Sequence, residues 1–210
     1  MLKPRRLHRY TYADYVAWEM VSADKHEFLD GEIYAMADGS EEHSALASAM
    51  GWALRNAIGD LPCRVHTSDL RIYVESVGLA TFPDASVICG PLQQHDPSPI
   101  ATALNPSILV EVTSDSSGDY DTGPKLEYYR TILTVREYVI VSHRERRITV
   151  HSRGFDAVWA TQSAIHGERA AIPSLGAELV VDEIYRNKQR DRLMPCRVAA
   201  AWKAALRAVA

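Results

Sequence analysis

Several common classes are excluded by what this 210-residue chain lacks. It has three cysteines, Cys63, Cys89 and Cys196, an odd number at wide separation with no C-x-x-C pair, so neither a disulfide framework nor a structural zinc site is expected. No stretch approaches the roughly 18 apolar residues needed to cross a bilayer, and the basic opening MLKPRRLHRY leads into no apolar segment of the signal-peptide kind. These absences point to a reduced, cytoplasmic protein with no membrane segment. Excess positive charge is missing as well: the formal charge is −4, and it is unevenly spread. Residues Arg186 to Ala210 hold seven Lys/Arg against one acid, leaving 16 against 26 elsewhere. An acidic body argues against a broad electrostatic grip on nucleic acid, although a basic arm or a bound metal supplies local positive charge.

Hydrophobic residues make up 47% and charged residues 24%, enough for one sizeable core and with no compositional case for disorder. The expected organisation is one domain over residues 1–185 and a basic, Ala-rich helix or arm over 186–210. Thr11 is placed to cap a short helix carrying Tyr15 and Trp18, and Asp30-Gly31 between apolar residues signals a hairpin. Ser40, Glu41 and Glu42 open the clearest helix, with Leu46, Met50, Leu54 and Ile58 spaced by four and Gly59 ending it. Four strand-like runs follow: CRVHTSDLRIYVE, TFPDASVICG, SILVEVTS and, after the polar loop TSDSSGDYDTG and a helix near Lys125 to Leu133, EYVIVS. Arg144 to Arg147 reads as a solvated hairpin tip rather than a nucleic-acid patch, and VWATQ as a further strand. Helices and strands alternate without a regular βαβ rhythm, so the expected fold class is α/β in the α+β sense, a mixed sheet flanked by helices.

Glu111 interrupts the apolar run Ile108, Leu109, Val110, Glu111, Val112. A carboxylate there costs several kcal/mol unless an ion pair, a raised pKa or a bound cation resolves it. Asp84 lies in a similar setting, directly after Pro83 in an apolar strand. If the two strands are neighbours, their carboxylates converge and suit a hard divalent cation, Mg²⁺ or Mn²⁺. Lys125 stands in the first turn of the helix after the polar loop. Such a lysine is ordinarily solvated, but a strand–loop–helix connection would fold it back over the strand end, where an ammonium stabilises phosphorane charge or orients a metal-bound water.

The ordered set resembles the Uma-type restriction endonuclease family of the PD-(D/E)XK nuclease superfamily. It comprises Glu27, Asp30, Gly31 and Glu32; His43; Ser68, Asp69, Leu70 and Arg71; Pro83 and Asp84; Pro106, Val110, Glu111 and Val112; and Lys125 and Tyr129. The resemblance spans roughly residues 10 to 185. It implies a restriction-endonuclease-like sheet core and metal-dependent hydrolysis of phosphodiesters in nucleic acid, with DNA favoured. Asp84 and Glu111 would hold the metal, the main-chain carbonyl of Val112 would add a ligand, and Lys125 would lie near the attacking water. The lysine of the superfamily's E-x-K motif would fall at Thr113, so Lys125 is its substitute. Glu27 is either an accessory acid or an exposed hairpin carboxylate, and His43 either a polar helix-start residue or a substrate or metal contact. Asp69 and Arg71 read as a pair on a sheet surface, and Tyr128 and Tyr129 as core. Two other readings stay open: a nuclease-fold binding module without turnover, and an interaction protein in which the charged residues are only ion pairs. A homodimer is compatible with each.

Overall fold

The computed structural model describes residues 9–36, 39–95, 101–115 and 117–186. The chain opens with α1 (Tyr12–Glu19), the hairpin strands β1 (His26–Leu29) and β2 (Glu32–Ala35), and the long α2 (Glu41–Ile58). Next come β3 (Cys63–Thr67), β4 (Arg71–Val74), β5 (Leu79–Thr81), β6 (Ala85–Cys89), β7 (Thr102–Ala103) and β8 (Ile108–Val112). Two short helices, α3 (Gly118–Thr122) and α4 (Pro124–Arg130), lead to β9 (Glu137–Val141), β10 (Arg147–Arg153) and β11 (Trp159–Ile165). The described part closes with β12 (Arg169–Ile172), β13 (Ala177–Val180) and α5 (Val181–Ile184). The expected mixed α+β architecture is present, with two large sheets where one was anticipated. Their strand orders are β11-β10-β9-β8-β6-β3 and β2-β1-β5-β4-β7, with β12 and β13 paired apart. Beyond Arg186 the expected basic arm and its helix lie outside the described residues.

Both main helix starts follow from local chemistry. Thr11 Oγ1 accepts from the Asp14 backbone N–H at 3.1 Å while Asp14 accepts from the Thr11 backbone N–H at 2.8 Å, a complete capping box. Ser40 caps α2 through the His43 N–H, and Glu41 and Glu42 face the positive end of the helix. One stripe of α2, Leu46, Met50, Leu54 and Ile58, is buried against Ile108, Val110 and Val112 of β8 and their neighbours Val139 and Val141. Strand alternation sends Leu109 and Glu111 to the other face, where Leu126, Tyr129 and Ile132 pack over Leu109, Tyr138 and Ile140. All five residues of β8 are buried, as a near-continuous apolar strand covered on both faces requires, with β9 parallel on one side and β6 antiparallel on the other.

Two runs that read as single strands each divide between the sheets. CRVHTSDLRIYVE breaks at a turn, with Leu70 N–H donating to the Thr67 carbonyl at 3.1 Å, so β3 joins the six-stranded sheet and β4 the five-stranded one. TFPDASVICG breaks at Pro83, which has no N–H for a ladder, and separates β5 from β6 in the same way. The second break positions Asp84 at the junction of the sheets. The helix anticipated near Lys125 to Leu133 is α4, starting one residue earlier and ending at Arg130, and part of the supposed loop before it is α3.

Two expectations are corrected. Cys63 and Cys89 form a disulfide, because antiparallel pairing of β3 and β6 sets these residues directly opposite each other, a proximity that 26 residues of separation concealed. Asp69 and Arg71 are not partners. Asp69 is exposed and pairs with Lys25 at 2.9 Å, whereas Arg71 is fully buried, donates to Thr102 Oγ1 at 2.7 and 2.9 Å, and lies over the rings of Tyr12 and Tyr15. No carboxylate among the described residues pairs with this guanidinium, and its Nη1 has no hydrogen-bond acceptor. No described acid offsets its charge, so the packing of its long side chain against the two rings is the part of this arrangement that methionine can keep. Arg71→Met is expected to cost less than Arg71→Ala, for which about 2–5 kcal/mol applies in urea unfolding. Equal losses for the two variants would contradict this.

Candidate active site

The pairing of β6 with β8 places Ala85 opposite Val110, so the next position sets Asp84 opposite Glu111. Asp84 Oδ2 accepts the Val112 backbone N–H at 2.7 Å, which fastens the acid to the end of β8. From the first turn of α2, His43 Nε2 approaches the same oxygen at 3.2 Å. The Asp84 contact raises the His43 pKa, and burial opposes it. His43 thus contacts one of the expected acids.

On the far side of β8, α4 presents Lys125 and Tyr129 one turn apart on its buried face. Both reach Glu111 Oε1, Lys125 Nζ at 3.0 Å and Tyr129 Oη, donating, at 2.8 Å. Lys125 Nζ also lies 2.9 Å from Glu27 Oε1 and 3.6 Å from Asp121 Oδ1. Glu27 comes from β1 in the other sheet, where continuing the register of Phe28 with Ala80 sets it across from Thr81, whose hydroxyl donates to it. The hairpin acid is therefore mostly buried, in contact with the lysine. Thr113, at the position of the superfamily's lysine, turns its hydroxyl to His143 Nδ1 at 3.0 Å.

The residues expected from sequence, Glu27, His43, Asp84, Glu111, Val112 and Lys125, thus lie together at the junction of the sheets. Sequence reasoning missed Asp121, hidden in a segment taken for loop, although its spacing of four from Lys125 was a usable signal. It assigned Tyr129 to the core but not to the carboxylate. Nothing local in sequence marks Thr81 or Tyr120, whose ring lies 5.4 Å from Lys125 Nζ.

Glu111, 5% exposed, has its pKa pushed up to about 8 by burial, with Asp121 and Asp84 adding and Lys125 opposing. Asp121 is raised by burial too, with Glu27 and Asp84 adding. Burial works against the Lys125 ammonium, yet Glu111, Glu27 and Asp121 outweigh it, so its pKa rises well above the ordinary value and the cation persists at any physiological pH. The group thus has three carboxylates, Glu27, Glu111 and Asp121, around one permanent cation, with Asp84 and His43 beside them. Such an excess of oxygen donors fits a hard divalent cation. The hydrogen bonds and ion pairs that Glu111 and Asp84 make to described residues fall on Oε1 and Oδ2, leaving Oε2 and Oδ1 as donors. Among the described residues no three His, Cys, Asp or Glu side chains already enclose a metal position, so water or substrate oxygens would complete a shell. The cluster opens into a cleft of about 1400 Å³, bounded by α2 on one side and by residues of β1, β3 and α4 on others.

A solved structure bears out the sheet-based α+β fold. The chain is similar to the crystal structure of "a putative nuclease belonging to DUF820" from Anabaena variabilis, with a TM-score of 0.63 at 17% identity, covering 79% of this chain and 92% of that one. Residues 12–182 match the Uma2 family, described as "Putative restriction endonuclease", and the chain belongs to that family. Two uncharacterized proteins of Synechocystis sp. are similar to it along most of their length. The protein slr1290 is 32% identical over 173 residues, 82% of this chain and 90% of that protein. The protein sll1609 is 31% identical over 162 residues, 77% and 90% respectively.

Proposed function

We propose that this chain is a divalent-metal-dependent endonuclease that hydrolyses phosphodiester bonds of nucleic acid, most naturally DNA. The observation that carries the reading is the convergence of Asp84 and Glu111 across adjacent strands, with a permanently charged Lys125 beside them in an open cleft. Asp84 and Glu111 would hold Mg²⁺ or Mn²⁺, with the Val112 carbonyl as a further donor, and the ion would supply an activated water and neutralise developing phosphate charge. Lys125 does not serve as a base, because its neighbours hold it protonated. Its part is to present positive charge to the phosphorane-like transition state. Tyr129 and Glu27 fix it: Tyr129 Oη holds Glu111 Oε1 in place, and Glu27 draws the ammonium from the opposite sheet. His43 orients Asp84 and, when protonated, adds a second positive group at the rim of the site.

Metal removal gives the direct test. Plasmid, single-stranded DNA and RNA are incubated with the protein in EDTA, Mg²⁺ or Mn²⁺. Cleavage is expected with either metal and none in EDTA. Calorimetric metal binding without cleavage of any polymer would favour a binding module on a nuclease fold, and absence of metal binding would refute the assignment of Asp84 and Glu111.

A further inference from the structure

Of the described tryptophans, Trp18 meets the His26 ring and Trp159 is covered by Arg130 and Arg153, whereas no ring or cation among the described residues lies against Trp52. It is 62% exposed on α2, a helix whose apolar stripe is already satisfied by the sheet. Three residues on, Arg55 is exposed too, and no carboxylate among the described residues pairs with it. Side chains at this spacing are neighbours on a helix surface. Both line the cleft that holds Glu111 and Lys125, and between them and His43 the helix offers only small groups to it, Ser44, Ala47, Ser48 and Gly51. A Cβ built on Gly51 meets nothing within 4 Å, so this stretch of wall is open. Trp52 stands nine positions beyond His43, about 14 Å along the helix axis. An aromatic face and a cation that no described residue covers, with an open track to a phosphodiester site, form the combination that receives an unstacked base with its phosphate.

The deep groups argue for the same occupant. Lys125 and Glu111 are 4% and 5% exposed, so a phosphodiester reaches them only by entering the cleft. A strand free of its complement can bend inward and turn a base aside; a base-paired strand must first unstack. We infer that Trp52 and Arg55 form a nucleotide subsite that stacks an unpaired base and holds its phosphate, so the substrate is single-stranded or locally unpaired nucleic acid. This rests on the nuclease reading of the adjoining carboxylates and names the substrate class for it.

The test uses the full chain with Trp52→Ala, Trp52→Phe and Arg55→Ala, each checked for folding by circular dichroism. Fluorescein-labelled single-stranded DNA, the same sequence as RNA, and its DNA duplex are bound in EDTA by anisotropy and cut in Mg²⁺ or Mn²⁺. Single strands are expected to bind more tightly than duplex. Trp52→Ala should weaken single-strand binding about tenfold or more and raise KM with little change in kcat, whereas Trp52→Phe retains most of the affinity. Tighter binding of single-stranded RNA than DNA would identify the polymer without altering the subsite. Preferred binding of duplex, or single-strand binding indifferent to Trp52→Ala, overturns the inference while metal-dependent cutting leaves the nuclease reading intact. Trp52-dependent binding without cutting in any metal keeps the subsite and removes the nuclease reading, and binding of none of the three polymers removes both.

Discussion

Glu111→Gln is expected to lower metal-dependent cleavage by about 10²–10³-fold or more while leaving the protein folded. Glutamine keeps the volume of the side chain and an oxygen to accept from Tyr129, and removes only the charge. The same substitution reports on the energy stored in the site. With its pKa pushed up to about 8 from an ordinary 4.5, Glu111 in the metal-free protein binds a proton on folding at intermediate pH. A carboxyl group raised in this way contributes stability that is full below about 4.5 and is lost as pH climbs through about 8. The metal-free wild type should therefore lose stability across that window, and Glu111→Gln should flatten the loss. Urea unfolding in EDTA at pH 5 and pH 8 reads the difference. A variant that cuts normally, or one whose pH dependence matches wild type, would remove Glu111 from the role assigned to it.

Lys125→Ala is the complementary experiment and the more damaging to stability. Among the described residues, Lys125 is the only Lys or Arg within 4.0 Å of Glu27, Glu111 and Asp121, all of them largely buried. Removing one member of such a buried set costs about 3–5 kcal/mol, because the remaining charges stay desolvated without compensation. Acid should restore part of this, since Glu111 and Asp121, already raised by burial, escape the penalty on protonation. A divalent cation should restore part of it at neutral pH by supplying the missing positive charge. Catalysis should not return with the metal: kcat is expected to stay about 10²–10³-fold down, with KM changed less. Lys125→Ala of wild-type stability in EDTA at pH 8 would mean that these three carboxylates do not depend on this ammonium.

The site was legible where a residue conflicts with its surroundings. Glu111 stands out because a carboxylate inside Ile108 to Val112 has a high desolvation cost, and Asp84 because Pro83 ends a ladder immediately before it. The capped helices and the hairpin were legible because their signals lie within four residues of one another. What sequence could not supply was which strands share a sheet. The runs beginning at Cys63 and Thr81 keep their apolar character across a turn, so nothing in their composition shows that each leaves one sheet for the other. The same blindness hid the meeting of Glu27 with Lys125, 98 positions apart and contributed by different layers. Asp121 escaped for a different reason. Short helices such as α3 carry too few turns for periodicity to rise above a polar loop.

The covalent link between Cys63 and Cys89 encloses the entire excursion through β4 and β5 and back to Asp84. That stretch is a closed ring whose two ends are held in the six-stranded sheet while its middle belongs to the five-stranded one. The two layers are thereby tied by topology as well as by contact. A single backbone cut within the ring would leave both halves of the polypeptide attached to one another, and Asp84 anchored beside its neighbour strand.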